Sequence, residues 1–132
     1  MAQILLVEDQ PNQRLLYEQE LSDEGHDVRT ASNGPEALEL FMRHRPKLVL
    51  MDILLPGMNG IEVMERMLSV DPNLPVIVHS AYSSPSHDFI TWFARAYIVK
   101  SGNLDELKKR IQEVLNGTPV VDTSARSGLV SA

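Results

Sequence analysis

Five residues have side chains suited to chemistry, and each follows a short apolar run. Ile4-Leu5-Leu6-Val7 ends in Glu8 and Asp9, Leu48-Val49-Leu50-Met51 in Asp52, and Ala96-Tyr97-Ile98-Val99 in Lys100, while Val76-Ile77-Val78 leads through His79 to Ser80. Three carboxylates a few ångströms apart repel one another, so they must take up protons, bind a cation or lie against a lysine. Lys100 brings one positive charge against three negatives. An oxygen-only donor set without His or Cys suits a hard ion such as Mg²⁺, which keeps several waters and leaves room for a phosphoryl oxygen. A carboxylate can itself accept a phosphoryl group, because that transfer depends on in-line positioning and charge neutralisation. In such a site Asp52 would attack, the ion and Lys100 would balance the phosphoryl oxygens, and the Ser80 hydroxyl would hydrogen-bond one of them. A lone Asp at a strand end or a lone acidic pair is ordinarily a solvated loop residue. The joint placement of all five carries the signal.

Placing them on one edge requires a particular scaffold. The continuous apolar runs fit strands buried on both faces of a parallel sheet. The stretch around Val28-Arg29-Thr30-Ala31 alternates, as an edge strand does. Helices fit the gaps. Asn12 is expected to cap a helix carrying Leu15, Leu16 and Leu21, stopped by Gly25. Asn33 precedes a helix with Ala37, Leu38 and Phe41. Asn59 with Glu62, and Asn103 with Glu106, read as capping-box starts. The first precedes Ile61, Met64, Met67 and Leu68; the second precedes Leu104, Leu107, Ile111, Val114 and Leu115, with Gly117 after them. Five strand–helix alternations predict a (βα)5 flavodoxin-like, doubly wound parallel sheet. Ligands of such sheets lie beyond the carboxyl ends of the strands, at the switch point. The strand order 2-1-3-4-5 would make strands 1 and 3 neighbours and crowd Glu8, Asp9 and Asp52 into one pocket. That order is one of two common ones and is not deducible from periodicity.

Composition narrows the field. The 132 residues are 43% hydrophobic, enough for one compact core, with residues 118–132 read as a flexible tail or linker remnant after a domain over 1–117. The net charge of −6 disfavours direct binding of nucleic acid by this domain. Lys108-Lys109-Arg110 reads as a solvated helix face. There is no cysteine, no apolar run near the roughly 20 residues of a membrane span, and no signal-peptide pattern at the start. The expected location is cytoplasmic. His26, His44, His79 and His87 show no metal-ligand spacing. His79 and Ser80 face opposite sides of a strand, which argues against a nucleophile–base pair.

The stretches LLVED (5–9), VLMDILLPGMNGIEV (49–63), PVIVHSAY (75–82) and AYIVK (96–100) resemble the receiver domain of two-component response regulators, relatives of the chemotaxis regulator, over roughly residues 3–116. The D-x-x-x-P-x-M-x-G pattern from Asp52 to Gly60 is specific when an acidic pair precedes it and a Lys follows. The resemblance implies that Asp52 is the phosphoacceptor and that Glu8, Asp9, Asp52 and the backbone carbonyl of Leu54 hold Mg²⁺. It implies Ser80 as switch hydroxyl, Tyr97 as switch aromatic, and Lys100 as partner of the phosphoryl group. The donor would be a sensor histidine kinase or a phosphotransfer protein. The receiver would be a switch rather than an enzyme, assisting its own phosphorylation and dephosphorylation. A face built from the fourth helix, fifth strand and fifth helix would be read by an output protein or domain, or used for a homodimer.

Some features depart from the family pattern. Ser101 replaces the usual Pro after the Lys, so a trans bond is expected there, since a cis bond before a non-proline costs about 2.5–4 kcal/mol. The interval from Ser80 to Lys100 is short, which predicts a short or irregular fourth helix starting near Ser84-Pro85. Phe89, Ile90, Trp92 and Phe93 cover more than one helical face, fitting a distorted local core or an exposed partner patch. Leu54 and Tyr82, two residues beyond Asp52 and Ser80, are expected to restrict water at the site. Three other readings compete. A flavin carrier would need a glycine- and hydroxyl-rich loop where Glu8-Asp9-Gln10-Pro11 stands. An Asp-nucleophile phosphatase would need an Asp-x-Asp ending the first strand. A phosphate-independent pseudo-receiver acting as a protein-interaction module is the strongest alternative.

Overall fold

The computed structural model describes residues 2–52, 55, 57–80, 94, 96–100 and 104–117, with the backbone alone at 96, 97 and 99. The strands are β1 (Gln3–Val7), β2 (Asp27–Ala31), β3 (Leu48–Met51), β4 (Val76–Ser80) and β5 (Ala96–Val99). The helices are α1 (Pro11–Asp23), α2 (Gly34–His44), α3 (Gly60–Val70) and α4 (Asp105–Leu115), the last being the fifth helix of the expected pattern. All strand pairings are parallel, in the order β2-β1-β3-β4-β5. This is the flavodoxin-like (βα)5 sheet anticipated from the sequence. The register sets Val7 beside Met51 on β3, so the chain leaves β1 and β3 at the same rim.

Alternation along the strands divides the interior into two cores. Leu5, Val7, Val49, Met51, Val76 and Val78 face α2 and α3, meeting Ala37, Phe41, Val63, Met64 and Met67. Ile4, Leu6, Leu48, Leu50, Ile77 and Ile98 face α1 and α4, meeting Tyr17, Leu21, Leu107, Ile111 and Val114. The two-residue period thus distributes one unbroken apolar run between two layers. β2 pairs with β1 alone and alternates exposed with half-buried positions, as an edge strand does.

The expected caps hold at two helices. The Asn33 side chain accepts from the Glu36 N–H at 2.8 Å, and the Asn59 side chain accepts from the Ile61 N–H at 2.8 Å. Glu62 does not close a capping box; it pairs with Arg66 at 3.1 Å. α4 starts at Asp105 after Leu104, without a side-chain cap, and Asn103 lies outside the described residues. α1 corrects the sequence reading twice. It starts at Pro11, whose ring fixes the first helical position, with Gln10 preceding it, so Asn12 is inside the helix. Its buried residues are Tyr17 and Leu21, whereas Leu15 is 57% and Leu16 45% exposed. At about 100° per residue, these two leucines are rotated away from the stripe that Tyr17 and Leu21 define. Gly25 (φ +94°) ends the helix as expected. A Cβ at Gly34 would stand 2.8 Å from Met58 Cβ and 2.9 Å from Val63 Cγ2, so glycine lets α2 close against the loop that follows Asp52.

Candidate functional site

The site forms where β1 and β3 end. The Glu8 N–H donates to the Ala31 carbonyl at 3.0 Å and the Asp52 N–H to the Val7 carbonyl at 3.1 Å, so ladder-like bonds still hold the backbone as it leaves the sheet. Glu8, Asp9 and Asp52 each offer a carboxylate oxygen, and these oxygens lie within 4.8 Å of one another. Octahedral ligands about 2.1 Å from Mg²⁺ are about 3 to 4.2 Å apart. The donor set therefore fits this ion after small closure or with a water in place of one direct ligand. Glu8 and Asp52 are buried, 2% and 7% exposed, and Asp9 is half-buried.

Lys100 follows β5 and reaches back over the rim. Its backbone N–H donates to the Ser80 carbonyl at 2.7 Å, which ties the residue to the end of β4. Its Nζ donates to Glu8 Oε1, Asp52 Oδ2 and Gln13 Oε1, each at 2.7 Å. Burial alone would lower the ammonium pKa; the hydrogen bonds to Asp52 and Glu8, helped by their charges, overcome it and raise the value. Burial pushes the Glu8 carboxyl up, against the opposing pull of Lys100 and of the Gln10 N–H that bonds Oε2 at 3.1 Å. A proton or a second cation at Glu8 is therefore more welcome than at a solvated glutamate. The Arg14 guanidinium donates to the Glu8 carbonyl at 2.9 Å and the Asp9 carbonyl at 3.4 Å, pinning the acidic turn from below.

Four of the predicted residues, Glu8, Asp9, Asp52 and Lys100, are thus brought into one cluster. Ser80 is fully buried at the end of β4, beside β3. Tyr97 is in β5 opposite Val78, and its side chain lies outside the described residues. Leu54, Tyr82, Ser101 and the segment holding Phe89, Ile90, Trp92 and Phe93 also lie outside them. His79 turns away from the site into the α1 layer, its ring 5.1 Å from that of Tyr17. Of the basic run on α4 only Lys109 is the solvated residue expected; Lys108 is half-buried and paired to Glu20 of α1 at 2.6 Å, and Arg110 is half-buried and paired to Glu113 at 3.0 Å. Gln13 and Arg14 were not anticipated from the sequence.

Comparison with known proteins agrees with this architecture. Residues 4–112 match the response regulator receiver domain family, and the chain belongs to it. It is 34% identical over 119 residues to sporulation initiation phosphotransferase F of Bacillus subtilis, covering 85% of this chain and 92% of that protein. It is 33% identical to response regulator ArlR of Staphylococcus aureus, where 98% of this chain spans only 59% of the relative's length. Among solved structures, response regulator TrrA of Thermotoga maritima in complex with Mg²⁺–BeF superimposes with a TM-score of 0.82 at 40% identity, over 86% of this chain and 99% of that one. TrrA in complex with the histidine kinase ThkA gives 0.81 at 41% identity, over 87% and 99%. Among the described residues, no helix is long and apolar enough to cross a membrane.

Proposed function

We propose that residues 1–117 form a phosphorylation-switched receiver in which Asp52 accepts a phosphoryl group from a histidine kinase or a phosphotransfer protein. The observation that carries this reading is the convergence of three carboxylates on one small volume, with the Lys100 ammonium bonded to Asp52. Glu8, Asp9, Asp52 and the backbone carbonyl of Leu54 would hold Mg²⁺, as the acidic donor set and the Mg²⁺–BeF complex of TrrA support. The ion, when bound, supplies positive charge against the phosphoryl oxygens. An Asp52 oxygen attacks phosphorus; a P–O bond forms and the donor's P–N bond breaks, with its electron pair staying on the donor nitrogen. Lys100 follows the charge as it moves from the carboxylate to the phosphoryl group. Ser80 donates its hydroxyl to a phosphoryl oxygen, and Tyr97 changes orientation in response.

The chain is on this reading a signalling module rather than an enzyme with a separate substrate. The kinase complex of TrrA supports a kinase as donor. The exposed Leu15 and Leu16, on the helix that begins beside the acidic turn, offer an apolar contact for it. The altered face, made of the family's fourth helix, β5 and α4, would be read by an output protein or domain or used for a homodimer. Sedimentation showing a monomer both before and after phosphorylation removes the homodimer. Intact mass after incubation with acetyl phosphate and Mg²⁺ tests the whole reading: one phosphoryl adduct on the wild type and none on Asp52→Asn is expected. A wild type that stays unmodified, or an adduct that survives Asp52→Asn, overturns it.

A further inference from the structure

An ammonium has three N–H donors and no acceptor. At Lys100 all three are committed, to Glu8, Asp52 and Gln13, at equal distances of 2.7 Å. Two of these acceptors are carboxylates. The third is a neutral amide from the first turn of α1, and neither charge balance nor the expected phosphoryl chemistry calls for it.

The geometry gives this amide a task. When Asp52 is phosphorylated its carboxylate becomes a mixed anhydride, and the negative charge moves outward to the phosphoryl oxygens. The N–H aimed at Asp52 Oδ2 must then turn to a phosphoryl oxygen, while the other two keep the ammonium in place. Glu8 alone cannot do this, because one acceptor leaves the ammonium free to swing about a single bond. Glu8 and Gln13 together fix it from β1 and α1. An acid at position 13 would add a fourth negative charge to the rim. An apolar side chain there would leave one N–H of a mostly buried ammonium without its partner. Gln13 is itself held, since Pro11 fixes the helix start and Arg14 ties the next position to the Glu8 and Asp9 carbonyls.

We infer that Gln13 is a positioning residue for Asp52 phosphorylation, holding the Lys100 ammonium in line with the oxygen that receives the phosphoryl group. This rests on the phosphoacceptor reading above. The test is the rate of adduct formation with acetyl phosphate and Mg²⁺ in wild type, Gln13→Met, Lys100→Met and the double variant. Gln13→Met keeps side-chain length and removes the acceptor. It slows the wild type about threefold to tenfold, part of what a hydrogen bond from a charged donor is worth. It has no further effect once Lys100 is Met, because the group it positions is gone. A merely structural role would slow both backgrounds alike. An unchanged rate in Gln13→Met, or an equal slowing in both backgrounds, overturns the inference while leaving Asp52 as acceptor. A wild type that takes no phosphoryl group overturns the function on which it rests. The ¹⁵N-resolved ammonium signal of Lys100 gives an independent readout, with slow proton exchange in the wild type and faster exchange in Gln13→Met. Equal exchange in the two proteins also counts against the inference.

Discussion

Acid should weaken this fold through His79. The imidazole is 3% exposed on the α1 side of β4, packed at 5.1 Å against the Tyr17 ring, and among the described residues its Nδ1 has no hydrogen-bond partner. Burial above all, and then the Lys100 charge, lower its pKa from 6.5 to about 4. In the unfolded chain it titrates near 6.5. Between these values the unfolded state binds a proton that the folded state refuses. His79 therefore leaves stability unaffected above pH 6.5 and removes it progressively as pH falls toward 4. At about 1.4 kcal/mol per pH unit the full loss is about 3 kcal/mol, of which about 2 kcal/mol is reached by about pH 5. That is a large share of the roughly 5–15 kcal/mol by which a domain is stable. The perturbation is His79→Leu, which keeps an apolar side chain of similar size in the layer and has no proton to take up. Urea unfolding followed by circular dichroism, at about pH 7 and about pH 5, gives the free energy of each protein. The carboxylates titrate in both proteins, so the comparison isolates the ring. The wild type should lose about 2 kcal/mol more than the variant between the two pH values. Parallel losses would refute the assignment of a neutral, solvent-excluded imidazole.

Two other outcomes follow from the site. Lys100→Met leaves Glu8 and Asp52 buried without their common counter-charge. Breaking such a pair costs about 3–5 kcal/mol in Mg²⁺-free buffer, and added Mg²⁺ should recover much of it; urea midpoints that match the wild type without metal would show that the carboxylates do not depend on the lysine. On the proposed reading, Leu54→Asn should shorten the lifetime of the Asp52 adduct, because a polar residue two positions after the phosphoacceptor would favour water there; equal decay rates by intact mass would exclude this role for Leu54.

The legible parts of the sequence were those with a strong local cause. Unbroken apolar runs such as Leu48–Met51 specify strands covered on both faces, and Asn33 and Asn59 mark helix starts through the backbone N–H groups they accept from. Which residue of a run faces which layer was not legible, since Ile4 and Leu5 are equally apolar and only the register separates them. Asp52, Asp9, Glu8 and Lys100 could be anticipated as a group because each follows a strand that must end at the same rim. The share of Lys100 between two carboxylates and an amide could not, because it depends on how far a long side chain reaches across β1 and β3.

α1 shows why apolar content misleads beside a charged site. Leu15 and Leu16 look like core residues, yet they are exposed, while the inward stripe starts with a polar residue. Gln13, Tyr17 and Leu21 are spaced four apart and so share one helix face. Reading that face backward from Leu21 through Tyr17 arrives at Gln13, a neutral polar side chain where the packed layer gives way to the acidic rim. This one stripe packs against the sheet at its far end and holds the lysine at its near end. The same helix face thus sets Tyr17 against the His79 ring and Gln13 against the Lys100 ammonium. Polar residues at the site end of an otherwise apolar stripe are thus a better guide to the site than the apolar residues around them.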